Sequence, residues 1–241
     1  MIYPVRWLLI VCALCVSARA DFAQDLVRIH LEMSGGKEKV AALQAFKATG
    51  VTRTDQGELR FLMWAARPNH IRTEVTSGER TIAQGWDGEG EPWTADTQTR
   101  RISLLRGVAA DEFKLDAEFD NPLLADAAGR KVSLDYAGDV ELDGRSLIKL
   151  VVVQNYTATS FVYLEPGSYM MVRRDIVRRR ADKTVVVRTD YADFKSVAGV
   201  MLPHRLTVLV DGKKLNETVI ERIEPNPQMS ASLFKVLLGG Q

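Results

Sequence analysis

Apolar residues recur at steps of four, three and four at Phe22, Leu26, Ile29 and Met33, which lines one face of a helix. Ser34-Gly35-Gly36 stops or bends that helix, and "KEKVAAL" adds a second, short one. From about Ala45 onward the period changes to two. In "ELRFLMWAA", Leu59, Phe61 and Met63 fall on one face, and Arg60, Leu62 and Trp64 on the other. "HIRTEV", "RTIAQGW", "KVSLDYAG", "SLIKLVVV", "TSFVYLE", "YMMVRRDIVRR", "TVVVRTDYADF", "VMLPHRLTVLV" and "LNETVIERIEP" follow. Such short runs of β-branched and aromatic residues predict consecutive antiparallel strands. Asp143-Gly144, Pro166-Gly167 and Asp211-Gly212 each fall between two runs and mark hairpin turns. Residues 106–128 break the alternation and read as short helices and loop.

Many meandering strands with few helices must close into a barrel or be covered on one face. The amphipathic N-terminal helix needs an apolar surface to lie on. The pattern therefore predicts a mainly β, single-domain, strongly curved antiparallel sheet with helices across its concave side. That arrangement tends to leave an apolar space between helix and sheet.

Composition changes this picture at the N-terminus. Arg6, an apolar run from Trp7 to Val16 and Ala18-Arg19-Ala20 form a basic region, a short hydrophobic region and an A-x-A cleavage signal. Residues 1–20 are thus expected to be a signal peptide cleaved near Ala20, and the domain to occupy 21–241. The apolar run of ten residues is shorter than the roughly twenty that a spanning helix requires. Cys12 and Cys15 both lie in this segment, preceded by Val11 and Leu14, which is not the pattern of a lipidated cysteine. Downstream of it there is no disulfide, thiolate metal site or cysteine nucleophile to expect. Removing Arg6 and Arg19 leaves 30 basic against 31 acidic residues, without the basic excess of a nucleic-acid binder.

Candidate chemistry is sparse. "GWDGEGEPW" alternates Asp87, Glu89 and Glu91, but Pro92 and Gln98 stand where a calcium loop needs glycine and glutamate. It reads as a tight turn between two strands that carry Trp86 and Trp93 as inward anchors. His30, His70 and His204 each stand alone in a different element, and no G-x-S-x-G, H-E-x-x-H or P-loop occurs. No cofactor, metal site or catalytic residue is read from the chain. "VRRDIVRRR" places Arg174, Arg178 and Arg180 on one strand face and Arg173 and Arg179 on the other. Its functional reading is transient attraction to anionic headgroups at a membrane surface; its bland reading is a solvated strand that deters edge pairing. "TDYADFKSVAGVMLPHRL" reads as a hairpin with Gly199 in the turn and Pro203 at an edge or a bulge. Asp190, Asp193 and His204 then serve the fold.

The order of several short motifs resembles a known family. "DYADFKSVAGVMLPHRL" is similar to the D-Y-x-D-F-x-x-V-x-G-V-x-x-P signature of the LolA/LolB-like outer-membrane lipoprotein-sorting superfamily. "HLEMSGGKEKVAALQAFKATG", "GWDGEGEPW", "DEFKLDAEFDNPLLAD", "GDVELDGRSLIKLVV", "FVYLEPGSYMMVRR" and "ERIEPNPQMSASLFKV" resemble its other segments in the same order, over roughly 25–236. The resemblance implies an incomplete antiparallel β-barrel of around eleven strands, with helices plugging an apolar cavity. It also implies a periplasmic carrier that shields lipid or lipoprotein acyl chains, with envelope transport partners.

Residues expected to line the cavity are Leu26, Ile29 and Met33 from the helix, with Phe61, Met63 and Trp64 from one strand. Trp86, Trp93, Phe161, Tyr163 and Met170 complete the set. The sequence is thus read as a carrier and not an enzyme. A structural or sensor module that binds a protein partner, and a carboxylate-dependent envelope hydrolase, are the alternatives.

Overall fold

The computed structural model describes residues 22–124, 132–154, 158–180 and 183–236. The expected signal peptide lies outside these residues. Helix α1 (residues 22–33) ends at a turn through Ser34 and Gly35, and α2 (Lys37–Ala42) follows directly. Six strands come next: β1 (Ala45–Thr54), β2 (Gly57–Ala66), β3 (His70–Ser77), β4 (Arg80–Trp86), β5 (Trp93–Asp96) and β6 (Arg101–Leu104). Helix α3 (Val108–Asp116) and a 3₁₀ turn (Pro122–Leu124) interrupt them. Seven further strands complete the sheet: β7 (Val132–Leu142), β8 (Arg145–Gln154), β9 (Ala158–Leu164), β10 (Met171–Arg180), β11 (Lys183–Val197), β12 (Val200–Val210) and β13 (Lys213–Pro225). A second 3₁₀ turn, Ala231–Phe234, follows β13.

All thirteen strands form one antiparallel sheet in the order β6-β5-β4-β3-β2-β1-β13-β12-β11-β10-β9-β8-β7. The mainly β, helix-covered fold is as the periodicity predicts. The count exceeds the roughly eleven that the resemblance implies, and β5 and β6 are the shortest strands at four residues each. Sequence neighbours pair except for β6 and β7, and β1 pairs β13, joining the start and end of the sheet. The free edges are therefore β6 and β7, and the segment that contains α3 connects them.

Local sequence explains the joints. Asp143-Gly144 and Asp211-Gly212 adopt positive φ at both positions, as two-residue hairpin turns require. Gly35 has φ +123°, and a Cβ there would lie 2.2 Å from the carbonyl oxygen of Gly199. Only glycine lets the α1–α2 turn sit on the β11–β12 turn, where the amide of Met201 donates to Ser34 O at 2.9 Å. In the β11–β12 ladder Asp193 has φ +54° and stands opposite His204, while the register runs unshifted from Ala192↔Arg205 to Phe194↔Pro203. The β12–β13 ladder begins only at Arg205, so the missing amide of Pro203 breaks no pairing on that side. Asp193 pairs with Arg205 at 2.9 Å and Asp190 with Arg188 at 2.8 Å, while His204 is buried on a separate strand position. The hairpin is architecture, and its acids are held by arginines.

The buried face of α1 is Ala23, Leu26, Val27, His30 and Ser34. It is rotated from the predicted stripe, leaving Phe22 and Met33 each 46% exposed. Small Ala23 and Ser34 allow the close approach that a bulkier stripe would prevent. Leu26 and Val27 pack on Leu150 and Val152 of β8 and Val162 and Leu164 of β9.

A strapped cavity on the concave face

Residues 105–124, which follow β6, run as a strap across the concave face. Phe119 meets Phe46 of β1 with ring centroids 5.3 Å apart. Asn121 reaches α1, where its Nδ2 stands 3.1 Å from His30 Nε2. Leu123 joins the cluster beneath α1, and Leu124 packs with Val40, Leu43 and Val200.

Arg67, just past β2, ties the strap to α2. Its Nε donates to Leu43 O and its Nη2 to Val40 O, each at 2.9 Å, which satisfies carbonyls at the helix end. Its Nη1 donates to the Asp120 carboxylate, and its guanidinium stacks over Phe119 at 4.8 Å. His30 is held equally firmly: Nδ1–H donates to Tyr169 O at 2.8 Å, leaving Nε2 to accept from Asn121. Burial lowers its pKa from the ordinary 6.5, so the neutral ring belongs to this site.

Between strap and sheet lies a cavity of about 470 Å³, inside the roughly 300–1,000 Å³ range of small-molecule sites. Its floor comes from β10–β13, β1 and β2, including Ile176, Val187, Leu206, Val208, Ile220 and Met63. Its roof is Leu115, Phe119, Pro122 and Leu124 of the strap with Val40 and Leu43 of α2. Besides His30, Arg67, Asp120 and Asn121, the wall has a polar stretch made by Arg174 and Arg178 of β10, Thr189 and Tyr191 of β11, Asp116 of α3 and Glu118 of the strap. Burial raises the Tyr191 pKa above the usual phenol value, so its hydroxyl stays protonated. Among the described residues no group of three or more His, Cys, Asp or Glu side chains could hold a metal ion.

Of the eleven expected lining residues, Met63 and Met170 are on the cavity wall. Phe61 and Trp86 share the face of Met63 but stand outside the wall; Lys114 of α3 lies 5.9 Å over the Trp86 ring. Leu26 is consumed by the cluster under α1, Ile29 is half-buried and Met33 is exposed. Trp64 and Trp93 project to the other face, where Arg72 stacks on both and Trp93 Nε1 donates to Phe234 O at 2.8 Å. Phe161 and Tyr163 also alternate away from the inward Val162 and Leu164. Burial pushes the Tyr163 pKa to about 12, helped by Asp175, whose carboxylate accepts from its hydroxyl at 3.2 Å. The reason is common to all four: adjacent strand residues face opposite ways, and aromatic character does not say which.

The basic strand is likewise divided. Arg174 and Arg178 face the cavity, and Arg173, on the other side, pairs with Asp175 at 2.8 Å. The side chains of Arg173 and Arg178 are only 15% and 10% exposed, which withdraws them from a membrane-facing strip. The side chains of Arg179 and Arg180 lie outside the described residues. The wall residues that sequence reasoning missed are mainly aliphatic ones on β11–β13, such as Leu206, Val208 and Ile220. Their alternation was visible; their inward sense was not.

No family model and no curated protein matches the chain. Solved structures do. A DUF1329 family protein from Desulfovibrio piger superposes with a TM-score of 0.62 at 9% identity, covering 90% of this chain and 97% of that one. A LolA superfamily protein from Nitrosomonas europaea gives 0.57 at 12% identity, covering 89% and 97%. A domain designated for outer membrane lipoprotein sorting from Vibrio parahaemolyticus gives 0.56 at 10% identity, covering 86% and 97%. At such identities the likeness is one of architecture, and it spans nearly the whole of each partner. The chain has the fold of the LolA superfamily.

Proposed function

We propose that this protein is a periplasmic carrier that takes a lipid or lipoprotein acyl chain into the strapped cavity, in the manner of outer-membrane lipoprotein sorting. The observation that carries this reading is the cavity of about 470 Å³ whose floor and roof are predominantly aliphatic and aromatic. Each buried methylene contributes about 0.8 kcal/mol, so a few methylenes give useful affinity without chemistry. The fold shared with a lipoprotein-sorting domain supports the carrier role, and the signal-like residues 1–20 support an exported location.

Binding of a fluorescent acyl probe tests the proposal directly. The purified protein is expected to bind it saturably, and native mass spectrometry to find lipid retained after gentle purification. Leu206→Trp with Ile220→Trp, which fill the cavity from its floor, should weaken probe binding by about tenfold or more. A protein that carries no lipid and binds no acyl probe is not an acyl carrier.

A further inference from the structure

The polar stretch of wall has no role in binding hydrocarbon. Alternation along β10 puts Arg174, Ile176 and Arg178 on one face, and all three line the cavity. Holding two guanidinium groups against an apolar space costs desolvation, which a pure hydrocarbon ligand does nothing to offset. We propose that Arg174 and Arg178 form an anion-recognition site for the headgroup of an acyl amphiphile that ends in a carboxylate or phosphate, with Glu112 and Asp116 of α3 as its intramolecular competitors. This rests on the carrier reading and narrows it to a ligand class.

Three observations converge on the site. First, Arg178 holds two carboxylates: Asp116 at 2.6 Å and Glu112 at 3.4 Å. A planar guanidinium that grips two carboxylates matches the geometry that recognises carboxylate or phosphate ligands. Second, hydrogen-bonding capacity is left over. The Nε of Arg178 is buried without a hydrogen-bond partner. Buried polar atoms normally find partners, and a headgroup with several acceptor oxygens supplies them.

Third, α3 is lightly attached. Ala110 is its one fully buried residue, and Val108 is 52% exposed. Its polar ties include the two carboxylates on Arg178, the Lys114–Glu91 pair at 2.9 Å and Lys114 over the Trp86 ring. The Asp116 side chain is 56% exposed, so its ion pair is solvent-screened and readily exchanged. An anion delivered with its acyl chain in the cavity competes for Arg178 at high local concentration. Loading then releases the acids of α3 from the wall.

Displacement of a fluorescent acyl probe by oleate, oleoyl lysophosphatidate and uncharged monoolein tests the site on the purified protein. At least one of the two anions is expected to bind about tenfold or more tightly than monoolein. A preference for oleate assigns a carboxylate headgroup, and one for lysophosphatidate a phosphate. Arg178→Gln should bring the anion-to-neutral ratio near one. Glu112→Gln with Asp116→Asn should raise that ratio several-fold, and it decides the matter if Arg178→Gln fails to fold. Equal binding of all three probes, unmoved by the α3 variants, overturns the anion site and leaves the carrier standing. A ratio lowered by the α3 variants overturns the competitor role. Failure of every probe to bind overturns the carrier reading and this inference together.

Discussion

Beneath α1, Leu26 and Val27 meet Leu150, Val152, Val162 and Leu164 in one contiguous apolar cluster. A few strands along, the same concave face leaves about 470 Å³ open beneath the strap. The sheet supplies aliphatic side chains in both places, so the difference lies in what covers it. Helix α1 brings an apolar face with small residues at Ala23 and Ser34, and it settles close. The strap is fastened at points, by Leu123 and Leu124 in the clusters at α1 and α2 and by the polar contacts Arg67–Asp120 and Asn121–His30, and α3 by ion pairs. These hold it at a distance, and apolar filling is absent beneath. Space in this fold is created by how a cover is fastened.

That contrast can be broken from either side. The largest effect is expected under α1: Leu150→Ala, at a fully buried position, should cost about 2–5 kcal/mol in denaturant unfolding, because it removes buried methyls and leaves a void. Leu206→Ala, on the cavity floor, removes the same atoms from a position that is already half-buried and borders open space. Its cost should stay below about 2 kcal/mol, since little new cavity is made. Equal losses at the two sites would show that the strapped half is packed as tightly as the other.

A smaller effect belongs to His30, at the junction of the two halves. Its pKa is lowered in the folded protein by burial, so the unfolded chain binds the proton more readily. Its contribution is therefore complete above the unfolded value of 6.5 and is lost as pH falls from there towards the lower folded value. Thermal melts across that window should show stability declining with acid in the wild type and a flatter profile in His30→Gln. A wild-type profile identical to that of the variant would remove His30 from the junction's energetics.

Much of the architecture was legible in the chain. Period-two runs and Asp-Gly turns specify an antiparallel meander because side chains alternate in a strand and such turns need positive φ. Gly199 and Pro203 marked their hairpin by backbone chemistry alone. The site was harder to read. Met63 and Met170 were foreseen on the cavity wall, but Trp64, Trp93, Phe161 and Tyr163 lie on the opposite face, where each has a polar or cationic partner. A shift of one residue inverts every inward assignment, and no local signal fixes the sense when both faces carry apolar residues.

What the sequence determined by itself is therefore the list of strands and turns, since those depend on contacts between near neighbours. Tertiary structure decided which face turns inward, that β1 pairs β13 and leaves β6 and β7 as free edges, and where the strap crosses. It also decided the meaning of "VRRDIVRRR": read along the chain it is a basic strand, and folded it gives the cavity two arginines. Those outcomes depend on residues a hundred or more positions apart meeting across the sheet, and burial and register settle them together.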